Sequence, residues 1–129
     1  MAVSWLGGCR AQPPPPQPDV LTWQVVKTWS GRGNAQTESF GGDTGSFRIR
    51  WKTTGESPPG QGVFRLTLHS SISGRPLVQV ADEKGAGGGI REVNEDPRIF
   101  HMVVESAAVD WTITVEEGTL GKVSPKPAR

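Results

Sequence analysis

The two histidines are the residues that could support acid–base chemistry. His69 and His101 each alternate with apolar residues in a segment whose pattern predicts a strand. His101 shares a face with Ile99 and Val103, which favours a structural histidine, and His69 shares the solvent face of Arg65. Nucleophilic catalysis needs a nucleophile, a base and an orienting group in contact, and no serine or cysteine motif supplies them. We therefore predict that the chain is not an enzyme.

Four acidic residues flank a glycine-rich segment and form the best candidate for a metal site. Asp82 and Glu83 precede the segment 85–89, and Glu95 and Asp96 follow it. Calcium takes about six to eight oxygen ligands, and loops commonly supply them. Solvated acids in turns have the same composition. The expectation is therefore no cofactor, with calcium at these four carboxylates as the alternative.

Aromatic and cationic side chains on the predicted strands could bind a ligand. Trp29 lies at a strand end, where sugar-binding sandwiches place aromatic platforms, and Trp23 is the second candidate. Arg48, Arg50 and Lys52 alternate with apolar residues along another strand and could bind an anion. The structural alternatives are a core or edge role for the tryptophans and a solvated sheet face for the cations, which carboxylates such as Glu38, Glu105 and Glu116 would neutralise.

A hydrophobic period of two predicts the strands that would position these side chains. It is clearest over residues 46–52, 63–70 and 109–116, and weaker over 22–29, 36–40, 77–82, 90–94 and 99–106. Turns rich in Gly and Pro separate the segments. About eight strands spaced by roughly ten residues predict an all-β fold, an antiparallel β-sandwich or jelly roll, with a small barrel as the alternative. The predicted inward aromatics are Trp23, Phe47, Trp51, Phe64, Phe100 and Trp111.

Composition narrows the class of protein. The 129 residues predict one domain, and the formal net charge of +1 argues against nucleic acid as a partner. A single Cys excludes an intramolecular disulfide and any site built from several thiolates. No apolar run reaches the roughly 18 residues that a membrane-spanning helix needs.

The ends of the chain differ from its middle. We divide it into residues 1–20, a signal remnant or proline-rich tether, residues 21–117, the β-sandwich domain, and residues 118–129, a disordered basic tail. Leu6-Gly7-Gly8-Cys9 resembles a bacterial lipobox, which implies lipidation of Cys9 and a membrane as partner. Eight residues precede Cys9 and none is Lys or Arg. Either the basic and apolar parts of a signal peptide begin upstream of Met1, or the match is due to chance and Cys9 is an ordinary free cysteine.

The middle of the chain resembles small bacterial secreted domains similar to the pre-peptidase C-terminal type of β-sandwich. The resemblance covers residues 21–117 and depends on Trp29-Ser30-Gly31-Arg32-Gly33, Thr37-Glu38-Ser39-Phe40, Phe47-Arg48-Ile49-Arg50-Trp51 and a closing hairpin that ends in Trp111-Thr112-Ile113-Thr114-Val115. The chain lacks the Gly-Thr-Tyr-Tyr entry to the penultimate strand and has Asp96-Pro97-Arg98-Ile99-Phe100 there. The resemblance implies an accessory module and offers no catalytic residue.

Together these observations predict a non-catalytic accessory or binding module of the bacterial cell envelope or the extracellular space, lipid-anchored if Cys9 is processed, with a glycan or protein as ligand. The alternative is a carbohydrate-binding module that uses an exposed Trp and loop residues.

Overall fold

Alternating apolar and polar residues form nine β-strands in the computed structural model, which describes residues 19–122. The strands are β1 (Asp19–Arg32), β2 (Ala35–Gln36), β3 (Phe40–Gly41), β4 (Ser46–Thr54), β5 (Val63–Ser70), β6 (Pro76–Lys84), β7 (Gly87–Asn94), β8 (Ile99–Ala107) and β9 (Asp110–Lys122). No helix occurs within this range, and hence none that is long and apolar enough to cross a membrane. The predicted lipidation site Cys9 and residues 1–18 of the predicted tether lie outside the described residues, whereas residues 19 and 20 of that predicted tether belong to β1.

The strands are arranged as a jelly roll of two antiparallel sheets. The front sheet has the order β1-β9-β4-β7, and the back sheet has the order β2-β8-β5-β6, with β3 also paired to β8. Pairing is nested, because β5 pairs with β6, β4 with β7, β2 and β3 with β8, and β1 with β9. The predicted β-sandwich is confirmed, and the small barrel is wrong because the strands form two separate sheets.

Several strands differ in length from their predictions. The segment 63–70 matches β5, whereas the predicted strand 36–40 is divided into β2 and β3. The interruption lies at Thr37, which bonds Met102 through its backbone N–H and accepts from the Met102 N–H with its hydroxyl, both at 2.9 Å. The hydroxyl thus takes the place of a backbone carbonyl in the ladder. At the other end of the chain, β9 continues beside β1 to Lys122, so residues 118–122 of the predicted tail belong to the front sheet.

The core lies between the two sheets and is built from the inward residues of each strand. Phe47, Phe64 and Phe100 are fully buried, and Trp111 is nearly so. Trp51 is half-buried against this core. The prediction that Trp23 faces inward is wrong. A bulge between Val25 and Lys27 inserts a residue into β1 and reverses the alternation, so Trp23 and Trp29 lie on opposite faces although six positions separate them.

Three tryptophans of the front sheet each lie against a glycine in the neighbouring strand. A Cβ built on the glycine would be 2.6–2.9 Å from the indole ring, a distance that side chains do not tolerate. Glycine therefore provides the space in which the ring crosses its neighbour, as in aromatic rescue of strand glycines. The pairs, each directly opposite in register, are Trp23 with Gly118, Trp51 with Gly89 and Trp111 with Gly31.

The inward tryptophans also form hydrogen bonds with residues outside the front sheet, in β6 and in the turn between β1 and β2. The Trp51 Nε1–H donates to Glu83 Oε1 on β6 at 3.0 Å, and the Trp111 Nε1–H donates to the Gly33 carbonyl at 2.9 Å. Each ring thus contributes apolar surface to the interior and a polar atom to the rim of the sandwich.

Replacing Gly31 with Ala should destabilise the fold, because the buried Trp111 ring is held by its hydrogen bond and cannot move away from the new methyl group. We expect Gly31→Ala to lower the free energy of unfolding by about 1–3 kcal/mol, the usual cost of overpacking. Urea unfolding at neutral pH measures this change. Gly87→Ala is the matched control, because a Cβ there meets only the Glu83 carboxylate at 3.6 Å. Equal losses in both variants would contradict the packing role of Gly31.

Candidate functional site

The outer face of the front sheet brings together most of the ligand-binding residues that the sequence predicts. In register, Arg48 lies opposite Glu116, Arg50 opposite Thr114, and Lys52 opposite Thr112. These side chains point away from the core because their neighbours in β4 and β9 are buried. We call this surface the arginine face; its members are Trp23, Thr28, Ser30, Arg48, Arg50, Lys52, Thr112, Thr114 and Glu116.

A single carboxylate oxygen holds two guanidinium groups at the centre of the arginine face. Glu116 Oε1 accepts from Arg48 Nε at 2.9 Å and from Arg50 Nε at 2.8 Å. The Glu116 side chain is only 14% exposed, whereas that of Arg50 is 44% exposed. Both bonds use Nε, and within residues 19–122 the Nη groups of the two arginines have no hydrogen-bond partner. Within the described residues, the guanidinium groups of Arg48 and Arg50 are therefore fixed by Glu116 and present unpaired Nη donors on the same surface.

Trp23 positions one of these arginines further. The Arg48 Cζ lies 4.6 Å from the centre of the Trp23 ring, which is within the range of a cation–π interaction. The ring itself lies against Gly118 and is half-exposed. Arg48 is thus held between a carboxylate and an aromatic ring.

Hydroxyl groups occupy the part of the arginine face beside these cations. Thr28 Oγ1 lies 3.3 Å from Thr114 Oγ1, and Ser30 Oγ lies 3.1 Å from Thr112 Oγ1. Each pair joins β1 to β9 across the sheet. Hydroxyls both donate and accept hydrogen bonds, so this surface can bind groups of either kind.

The charge of the arginine face depends on the ionisation of Glu116. Hydrogen bonds from Arg48 and then Arg50 lower the pKa of Glu116 below its ordinary value, against a smaller opposing effect of burial. Glu116 is therefore ionised at neutral pH. Glu92 lies opposite Arg48 on β7, and Lys52 lies opposite Gly88. Two carboxylates thus accompany three cations, and the positive excess lies on the side of Arg50 and Lys52.

Trp29 lies elsewhere, with its ring partly buried against the core, and its predicted ligand-binding role stays a prediction. It faces inward beside the buried Ile113, with its ring centre 5.5 Å from that of Phe40. Its Nε1–H donates to Glu38 Oε1 at 3.4 Å, and Lys27 Nζ lies 3.0 Å from the same oxygen. The bond from Lys27 and then that from Trp29 lower the pKa of Glu38. The cluster joins β1 to the segment between β2 and β3.

The four predicted calcium ligands do not converge. Asp82 and Glu83 lie near the start of β7, and Glu95 and Asp96 follow its end, so the eight residues of β7 separate the pairs by roughly 25 Å. Glu83 accepts the hydrogen bond of Trp51. Among residues 19–122, no three side chains of the metal-ligating types His, Cys, Asp and Glu lie close enough to enclose an ion. The four acids are close in sequence because they flank the glycine-rich segment. They are far apart in space because β7 begins in that segment and separates the two pairs.

The structure also contains a histidine pair on the outer face of the back sheet that the sequence interpretation missed. His69 and His101 are directly opposite, with ring centres 5.2 Å apart and planes inclined by 24°. Ser71 Oγ lies 2.9 Å from His101 Nδ1 and 2.8 Å from Ser39 Oγ. Burial, and then the charge of His69, lower the pKa of His101. No carboxylate of the described chain hydrogen-bonds either ring, so the serine–histidine contact lacks an orienting acid.

Two shallow depressions also lie on the described surface. One, of about 360 Å³, lies over β5, β6 and β8, where Arg65 is 3.7 Å from Asp82 and 3.8 Å from Glu105. The other, of about 520 Å³, lies between the loops that carry Asp43 and Pro97. Arg65 therefore belongs to the back sheet and does not extend the arginine face.

No protein-family model matches the chain, and no curated protein matches it. The resemblance to the pre-peptidase C-terminal type therefore stays a prediction.

Replacing Glu116 with Gln should produce a pH-dependent loss of stability. Because the folded-state pKa of Glu116 is lowered, its ionised form stabilises the fold above the ordinary glutamate pKa of 4.5, and this contribution disappears as the pH falls through the lowered value. We expect Glu116→Gln to lower the free energy of unfolding at pH 7 by roughly 1 kcal/mol, and the difference from the unsubstituted protein to shrink in acid. Urea unfolding from pH 7 to pH 3 measures both.

Glu105→Gln is the control, since that carboxylate is exposed and 3.8 Å from Arg65 on the back sheet. It should change stability little at any pH. A loss for Glu116→Gln that stays constant from pH 7 to pH 3 would show that the lowered pKa has no energetic consequence.

Proposed function

We propose that the protein is a non-catalytic binding module whose arginine face binds an acidic glycan. The observation that carries the proposal is the pair of guanidinium groups that Glu116 holds in place while their Nη donors have no hydrogen-bond partner among residues 19–122. Arginine binds carboxylate and sulfate groups through parallel N–H donors, which a compact ammonium group cannot reproduce. The accessory role that the pre-peptidase-like resemblance implies is consistent with this proposal.

The arrangement favours a glycan because donors, acceptors and an aromatic ring occupy one face. The hydroxyls of Thr28, Ser30, Thr112 and Thr114 can bond to sugar hydroxyls, and half-exposed Trp23 offers apolar surface beside Arg48. The acidic group of the glycan would lie at Arg50 and Lys52, where the positive charge is in excess. A net charge of +1 for the whole chain agrees with recognition by a local cluster and not by bulk charge.

Preorganisation supports the same conclusion. Holding a free arginine in one conformation costs about 0.5–1.5 kcal/mol of conformational entropy on binding. Contacts with Glu116 and Trp23 restrict Arg48 before any ligand arrives, and Glu116 restricts Arg50 in the same way. The ligand would therefore meet donors that are already in position.

Replacing Arg50 with Gln should weaken this binding without disturbing the core, because the side chain is largely exposed. With oligogalacturonate as the probe, isothermal titration calorimetry should give a Kd about tenfold higher for Arg50→Gln, the usual effect of losing a hydrogen bond to a charged group. Arg65→Gln is the matched control, because Arg65 also lies between carboxylates but on the back sheet. It should bind like the unsubstituted protein.

Three outcomes would reject the proposed function. They are no binding of oligogalacturonate and of sulfated oligosaccharides alike, equal binding of a neutral cello-oligosaccharide, and equal weakening by Arg50→Gln and Arg65→Gln.

We also propose that the module is attached to the cell envelope through a lipid on Cys9, on the basis of Leu6-Gly7-Gly8-Cys9 and the proline-rich segment that follows it. Mass spectrometry of the protein isolated from its native cells tests this. We expect a chain that begins at Cys9 and carries acyl groups. An unmodified Cys9 would contradict the lipid anchor. It would have no bearing on the proposed glycan site.

A further inference from the structure

A single loop contacts both histidines of the back sheet. Residues 71–75 connect β5 to β6, and they provide a polar contact for each ring. Gly74 O lies 3.2 Å from His69 Nδ1, and Ser71 Oγ lies 2.9 Å from His101 Nδ1. In both histidines the contact is made by Nδ1. Within residues 19–122, neither Nε2 has a hydrogen-bond partner.

The contact with Gly74 determines the tautomer of neutral His69. A backbone carbonyl only accepts hydrogen bonds, so the proton must be on Nδ1, and Nε2 then carries a free lone pair. Histidines that bind metal ions in proteins commonly have this arrangement, in which the second nitrogen donates to a carbonyl, a carboxylate or water. His69 is therefore held in the tautomer that a metal ligand requires.

The serine pair permits the same tautomer in His101. Ser71 Oγ can accept from His101 Nδ1–H and donate its own proton to Ser39 Oγ, 2.8 Å away. Nε2 of His101 is then also unprotonated. Two imidazoles on adjacent strands thus offer free nitrogens on one exposed face, with ring centres 5.2 Å apart.

We propose that His69 and His101 together bind a divalent transition-metal ion of the class of Zn²⁺, Ni²⁺ or Cu²⁺ through their Nε2 atoms. Imidazole is a ligand of choice for these ions. Two nitrogens at roughly 2.0–2.1 Å from one ion lie at most about 4 Å apart, and the ring centres are 5.2 Å apart, so binding requires the two rings to rotate toward each other. No third metal-ligating side chain lies nearby in the described chain. The remaining coordination positions are therefore open to water or to an added ligand.

Paramagnetic Ni²⁺ tests this site in the unsubstituted, untagged full chain. Added ion should broaden the amide resonances of residues 67–76 and 99–103 before any others in the spectrum. His69→Gln and His101→Gln should each weaken Ni²⁺ binding by about tenfold or more, as measured by calorimetry. Ser71→Ala should weaken it by about tenfold, the lower end of the effect of losing a contact that orients a ligand. Arg65→Gln, on the same face, is the control and should leave affinity unchanged.

Broadening that begins elsewhere in the chain, or unchanged affinity in both histidine variants, would overturn the proposal. The broadening map uses the unsubstituted protein, so it gives a decision even if a variant does not fold. The site lies on the back sheet, so its result is independent of glycan binding by the arginine face.

Discussion

The close approach of an indole ring to a glycine in the neighbouring strand is the contact on which the front sheet depends. Trp51 and Trp111 extend across Gly89 and Gly31, where any side chain would collide with the ring. Because the rings reach this far, their N–H groups bond to Glu83 on β6 of the back sheet and to the Gly33 carbonyl in the turn between β1 and β2. The glycine content of the chain therefore supports packing as well as turns.

The bulge in β1 separates the structural tryptophans from the one that serves the candidate site. One inserted residue between Val25 and Lys27 sends Trp29 into the core and leaves Trp23 on the outer face, beside Arg48. The third indole–glycine pair, Trp23 with Gly118, then forms one border of the arginine face. The device that packs the interior thus also positions the aromatic group of the proposed glycan site.

Side-chain alternation predicted the sheets well, but it could not predict which residues meet across strands. The segment 63–70 and the solvent side of Arg48 and Arg50 follow from a period of two alone. Trp23 was wrongly placed inward because counting by two fails across a bulge, which leaves no mark in the residue types. The contact between His69 and His101 depends on register, which is set by pairing between strands about thirty residues apart. The acids around the glycine-rich segment are close in sequence and distant in space, because that segment begins β7.

The indole N–H resonances during titration with oligogalacturonate test the account most directly. If the arginine face binds the glycan while the inward rings hold the sandwich together, the Trp23 resonance should shift and those of Trp29, Trp51 and Trp111 should stay in place. Shifts of the inward tryptophans with a stationary Trp23 would contradict both the proposed location of the site and the division of roles among the tryptophans.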